Sequence, residues 1–149
     1  MRIAILSNGP ANYSTKRLVE EAKNRGHEVR VIKYKDCYLA LDDKHPDVYY
    51  DGEKLEKFDA ILPRISNNMT RYGCAVVRQF EMQGVWTSAT SVAITRARDK
   101  LRAAQILAKY DVDTPKTLVS RNTSDIDDLL GQIGLPVIIK LQLALMATA

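Results

Sequence analysis

Two short apolar runs at the N-terminus constrain this chain more than any other feature. Arg2-Ile3-Ala4-Ile5-Leu6-Ser7 stops at Asn8-Gly9-Pro10, and a second extended run covers His27 to Tyr34. Asn-Gly-Pro punctuates a chain strongly. The spacing between the runs predicts one helix, from about Ser14 to Asn24. Leu18, Val19 and Ala22 lie on its inward face, with Lys16, Glu20, Glu21 and Lys23 outside. Gly26 supplies the residue that closes such a helix at positive φ. Strand, helix and strand in so few residues specify a right-handed βαβ unit and a parallel sheet.

The parallel rhythm pauses and then resumes. Residues 36 to 46 read as loop with a short extended piece. Val48-Tyr49-Tyr50, Asp51-Gly52 and Glu53-Lys54-Leu55 read as a small hairpin, because Asp-Gly suits a type I′ turn. Asp59 to Ile65 is the next strand, with Pro63 near its C-terminal end, where a missing N–H is tolerated. A helix is predicted from Thr70 to Gln83, with Met69, Tyr72, Val76 and Phe80 facing the sheet. Val85-Trp86-Thr87 forms a fourth strand. From Ser91 the texture changes. Two helices follow, Ser91 to Ala97 and Asp99 to Tyr110, with Asp99 as N-cap of the second. Lys116 to Ser120 reads as extended, Ser124 opens a helix in capping-box fashion with Asp127, and Gly131 or Gly134 ends it. Val137-Ile138-Ile139-Lys140 reads as a last, very apolar strand.

Several functional classes drop out at this stage. No run approaches the roughly 20 apolar residues of a membrane span. The N-terminus reaches its polar turn too soon for a signal-peptide core, so a cytoplasmic location is expected. The formal charge of +4 comes from acids and bases mixed along the chain, which points to a solvated surface and away from a nucleic-acid groove. Cys37 and Cys74 stand far apart in no metal-ligand spacing and read as reduced structural thiols. His27 and His45 fit no zinc pattern, and Asp42-Asp43 and Asp127-Asp128 read as solvated faces. The Gly-x-Gly-x-x-Gly, P-loop and Gly-x-Ser-x-Gly templates are all missing.

Three segments carry possible chemistry. Leu62-Pro63-Arg64-Ile65-Ser66 places Arg64 at the carboxyl end of a strand, where open α/β sheets bind ligands, and Tyr72 follows close by. A guanidinium there grips a carboxylate or phosphate through two parallel hydrogen bonds; the alternative is an ordinary surface arginine. Arg96-Ala97-Arg98-Asp99-Lys100 is a dense basic cluster at a helix start, equally compatible with phosphate contact and with simple solvation. Lys140 ends an apolar strand, where an ammonium costs desolvation unless something compensates it.

The order of these segments resembles the N-terminal half of the RimK-type alpha-L-glutamate ligases of the ATP-grasp superfamily. The resemblance rests on Leu62-Pro63-Arg64-Ile65, Tyr72-Gly73, Arg78-Gln79-Phe80-Glu81, Ser91-Val92-Ala93-Ile94, Ala97-Arg98-Asp99-Lys100-Leu101, Thr114-Pro115-Lys116-Thr117 and Pro136-Val137-Ile138-Ile139-Lys140, and covers residues 1 to 140. It implies an α/β fold: a pre-ATP-grasp, Rossmann-like domain with a mainly parallel sheet over residues 1–90. Linking helices over 91–112 and the start of an ATP-grasp α+β lobe over 113–149 follow. It also implies ATP-dependent transfer of L-glutamate to the C-terminus of a small-subunit ribosomal protein, with Mg²⁺ or Mn²⁺ as metal. By the resemblance Lys100 and Lys140 match nucleotide-contacting lysines, while Arg64 and Tyr72 lie in a substrate-facing segment.

After Lys140 such ligases continue into an acidic, Gly-rich phosphate loop, whereas Leu141 to Ala149 has no glycine and no charged side chain. Without small residues a backbone cannot wrap tightly around phosphate oxygens. The switch resembles a frame change or truncation. It predicts a chain with no catalytic or metal-binding residues of its own, no tight ATP or Mg²⁺ binding, and no ligase activity alone. An unfinished lobe leaves apolar surface and a strand edge unpaired, which predicts a homo-oligomer through the C-terminal segment. The competing function class is a non-catalytic binding or oligomerising module derived from the same family. A flavodoxin-like domain is a weaker third reading, since its phosphate loop is missing.

Overall fold

The computed structural model describes residues 1–41 and 46–140. The readings of Asp42-Asp43, His45 and the Leu141–Ala149 tail lie outside the described residues. The chain divides into two compact units, Met1–Arg98 and Asp99–Ala149.

The first unit is built on the predicted parallel motif. Strand β1 (Arg2–Ser7) leads into helix α1 (Tyr13–Asn24) and strand β2 (Glu28–Ile32). Gly26 closes the helix at φ 74°, as the sequence implied. Strand β3 (Cys37–Ala40), strand β4 (Asp47–Tyr50) and strand β5 (Glu53–Lys54) form a separate antiparallel sheet in the order β3-β4-β5. The β4–β5 hairpin is the one predicted, with Asp51 and Gly52 both at positive φ (56° and 79°). Strand β6 (Ala60–Arg64), helix α2 (Thr70–Met82), strand β7 (Trp86–Thr87) and helix α3 (Ser91–Arg98) complete the unit.

The main sheet runs β2-β1-β6-β7, every pair parallel. Chain order steps outward from β1 to β2 and, in the opposite direction, from β6 to β7. Two right-handed crossovers therefore put α1 and α2 on opposite faces, and the direction reverses between β1 and β6. Strand β1 sits in the middle: Ala4, Ile5 and Leu6 are fully buried, and Ser7 nearly so. Ala4 and Leu6 join the main core with Ile32, Ile61, Val76, Val77 and Phe80, while Ile5 points to the other face by strand alternation.

Helix α2 is buried more widely than its sequence stripe suggests. Val76 and Phe80 are buried as expected, but so are Gly73, Cys74, Val77 and Gln79. The reason is that α2 meets the small sheet and α3 as well as the main sheet. Gln79 Nε2 donates to the Ala40 and Asp47 carbonyls (2.7 and 3.3 Å), and Gln83 Nε2 donates to the Pro46 carbonyl at 2.6 Å. These amides tie α2 to carbonyls at the end of β3, at the start of β4 and at Pro46 just before it. Glu81 accepts from the Ser91 backbone N–H and from Ser91 Oγ (2.8 and 2.7 Å), fixing the start of α3. Arg98 Nη2 donates to the Ile65 carbonyl at 2.6 Å and fixes its end.

The second unit contains helix α4 (Lys100–Lys109) and helix α5 (Ile126–Ile133). Asp99 caps α4 as predicted, accepting from the Arg102 N–H at 3.0 Å. Two details differ from the sequence reading. Ser124 does not open a capping box: a 3-10 turn (Thr123–Asp125) precedes α5, and Asp125 takes the cap position without a side-chain cap. Lys116–Ser120 and Val137–Lys140 are not strands, because extended chain becomes a strand only where a hydrogen-bonding neighbour exists, and the described residues provide none. No helix among the described residues is long and apolar enough to cross a membrane.

Two outcomes follow from this packing. A Cβ at Gly73 would stand 2.5 Å from Ile65 Cγ2, so Gly73→Ala overpacks a buried contact. The variant loses about 1–2 kcal/mol of stability in chemical denaturation, the clash outweighing the gain in helix propensity. Burial, reinforced by the Asp36 carboxylate, pushes the Cys37 thiol up from 9.0 to about 12. Because the folded value lies above the unfolded one, this contribution is complete below pH 9 and is lost as pH rises toward 12. The denaturation midpoint therefore falls between pH 8 and pH 10.5, and falls less in Cys37→Ala.

Candidate functional site

The carboxyl ends of β1 and β6 lie side by side, with Ser7 paired across to Arg64. In an open sheet this reversal point leaves a crevice beyond the strand ends, because the flanking helices diverge to opposite faces. The β1 end continues into Asn8 and Gly9, and the β6 end into Ile65, Ser66 and a 3-10 turn (Asn67–Met69). Ser66 and Tyr34 tie the end of β6 to the segment after β2. Ser66 N–H donates to the Tyr34 hydroxyl (2.9 Å), and the two hydroxyls lie 2.8 Å apart. Asn8 holds the same corner from the other side. Its Oδ1 accepts from the Lys35 N–H at 3.1 Å, and its Nδ2 lies 3.4 Å from the Met69 sulfur.

Arg64 is exposed at this corner, as strand position predicted. Its Nη2 donates to Ser14 Oγ at 2.7 Å, and it forms no ion pair among the described residues. Tyr72 lies on the first turn of α2, bordering a cavity of ≈340 Å³ lined by Asn68, Met69, Arg71, Tyr72 and Ala75, while Arg64 reaches α1. Its hydroxyl donates to the Cys37 carbonyl, and burial, with Cys37 adding, raises its pKa. The tyrosine thus braces the small sheet while its ring borders the cavity.

The basic cluster at 96–100 is dispersed. Arg98 is spent on the Ile65 carbonyl, and Asp99 caps α4, leaving Lys100 in the first turn of that helix. Lys140 is exposed, so the desolvation cost expected of a strand-end ammonium does not arise there. Both lysines belong to the second unit, whereas Arg64 and Tyr72 belong to the first. Among the described residues no group of three His, Cys, Asp or Glu side chains could hold a metal ion.

Sequence reasoning missed Asn8, Ser14 and Ser66 as parts of this corner. The available signal was topological: Asn8 lies in the connection after β1 and Ser14 in the first turn of α1, which start at the reversal point once β6 is the neighbour of β1.

Comparison with known proteins agrees with this architecture. Residues 1–94 match the RimK PreATP-grasp domain, and residues 97–147 match the RimK-like ATP-grasp domain. The chain is 51% identical over 142 residues to probable alpha-L-glutamate ligase 1 of Shewanella amazonensis, covering 95% of this chain and 47% of that protein. It is 52% identical, with the same coverage, to a probable alpha-L-glutamate ligase of Hydrogenovibrio crunogenus. The chain therefore spans about half the length of these curated relatives. Among solved structures, the ATP-grasp ligase PsnB complexed with minimal precursor aligns at TM-score 0.69 and 16% identity, covering 89% of this chain and 50% of that one. A RimK domain ATP-grasp protein from Sphaerobacter thermophilus aligns at TM-score 0.63 and 22% identity, covering 91% and 48%. At these identities the structural likeness speaks for the fold alone. With the two RimK family models together matching residues 1–94 and 97–147, the chain belongs to the RimK family of ATP-grasp proteins.

Proposed function

We propose that this chain supplies the substrate-facing domain and the start of the nucleotide-binding lobe of an ATP-dependent carboxylate–amine ligase that transfers L-glutamate. The observation that carries this reading is the 51% identity, over 95% of the chain, to a probable alpha-L-glutamate ligase. In such a ligase a carboxylate oxygen attacks the γ-phosphorus of ATP, giving an acyl phosphate and ADP. The amine nitrogen then attacks the acyl carbon, and phosphate leaves with the C–O electron pair as the amine loses its proton. By family resemblance the acceptor is the C-terminus of a small-subunit ribosomal protein, and the location is cytoplasmic. Residues 1–90 act as the pre-ATP-grasp domain, 91–112 as linking helices and 113–149 as the first part of the lobe.

Within that scheme Arg64 offers guanidinium N–H donors to a substrate carboxylate at the reversal point. Tyr72 shapes the wall of the cavity at the start of α2. Lys100 and Lys140 contact nucleotide phosphate as point charges. When bound, a divalent ion would supply charge neutralisation for the transferring phosphoryl group. On this reading this chain's own part is binding and orientation, and it does not complete the ligase cycle alone.

A second reading, a non-catalytic module that binds a partner or further copies of itself, is favoured by one observation. Leu135, Ile138 and Ile139 of the second unit are 79%, 84% and 88% exposed. Apolar side chains this close in sequence favour coverage, here by a second copy.

Titration with ATP separates the two readings. Binding that weakens at least tenfold in Lys140→Ala supports the ligase lobe, whereas self-association indifferent to that change supports the module. Glutamate-dependent ATP consumption by the purified chain would overturn the proposed dependence on further residues. Light scattering is expected to give a mass above the monomer that rises with concentration; a constant monomer mass sinks the oligomer.

A further inference from the structure

We infer that Ser14 is a positioning residue for Arg64, holding the guanidinium at the reversal point while leaving its charge available to a carboxylate ligand. The inference rests on the reading of Arg64 as a carboxylate grip and adds the residue that makes that grip work.

The geometry is a closed corner. Ser7 pairs across the sheet to Arg64. Ser7 Oγ lies 3.1 Å from Thr15 Oγ1, a buried contact that fixes the first turn of α1 to the end of β1. The neighbouring residue of that turn, Ser14, accepts from Arg64 Nη2 at 2.7 Å. The tether and the tethered group thus hang from adjacent strand ends, and the long arginine side chain loses its freedom before any ligand arrives.

The chemistry of the tether distinguishes it from the arginine ion pairs of the first unit; like the Arg98 contact to the Ile65 carbonyl, it is neutral. Arg2 is closed by Glu56, Arg17 by Glu20 and Arg25 by Glu21, each through a carboxylate. Those contacts pair the charge. A serine hydroxyl accepts one N–H without a formal charge of its own, so the guanidinium remains cationic and most of its five donors remain available. A neutral anchor is what a pre-set receptor for a carboxylate requires; an acidic one would compete with the ligand.

The test uses L-glutamate as probe, titrated into the full chain by calorimetry or by amide NMR shifts. Ser14→Ala is expected to weaken binding three- to tenfold, and Ser14→Thr, which keeps the hydroxyl, to restore it to within twofold. Ser14→Asp is the decisive variant. It keeps a tether but pairs the charge, so binding is expected to fall at least as far as in Ser14→Ala although the thermal midpoint holds. A purely structural Ser14 would leave glutamate affinity unmoved in both variants. Wild-type affinity in Ser14→Ala and Ser14→Asp, alongside loss in Arg64→Ala, overturns the positioning role. Absent binding to the wild type, or binding unchanged in Arg64→Ala, overturns the underlying reading of Arg64 instead.

Discussion

Strand β1 is paired along both edges with parallel neighbours and buried on both faces from Ala4 to Ser7, and the first unit is organised around that constraint. Parallel strands need crossovers, and a strand buried on both faces needs a layer on each. One crossover goes out from β1 and the other from β6, so both layers form and a reversal point is left between them. The position of Arg64 is a by-product of that arrangement. It stands at the corner because β6 must lie beside β1, in the register that sets Ser7 against Arg64.

A second principle operates on α2, where polar side chains do structural work inside an apolar face. Gln79 is almost fully buried yet satisfied, since it meets two carbonyls of the small sheet. Glu81 spends both carboxylate oxygens on Ser91. The segment Arg78-Gln79-Phe80-Glu81, prominent in the resemblance, therefore has an architectural account for its central residues: it joins the small sheet, α2 and α3 into one body. Among the described residues no buried side-chain polar atom lacks a partner.

What was legible in the sequence divides along physical lines. Elements whose pattern is local came through: β1, α1, β2, β6 and α2 from periodicity, the β4–β5 hairpin from Asp51-Gly52, and the α4 cap from Asp99. Arg64 was legible because its place needs only strand order and strand end. Ser14, Asn8 and Ser66 were not, since each owes its role to a partner distant in sequence. Lys116–Ser120 and Val137–Lys140 show the reverse case. Their composition is that of strands, but composition sets only a preference, and pairing requires a neighbour. The candidate roles of Lys100 and Lys140 came from resemblance to a family, and local pattern alone would not have separated them from solvated lysines.

The two cysteines have a practical consequence for experiments on this molecule. Both are buried, and burial raises both thiols, Cys37 to about 12 and Cys74 in the same direction against the opposing pull of Arg78 and Arg98. A thiolate, not a thiol, is the reactive species. The native chain therefore offers a quiet background for maleimide chemistry near neutral pH. A single cysteine engineered at exposed Tyr13, one residue from Ser14, would carry a fluorophore or spin label beside the reversal point and report on its occupancy without removal of any native residue from the core.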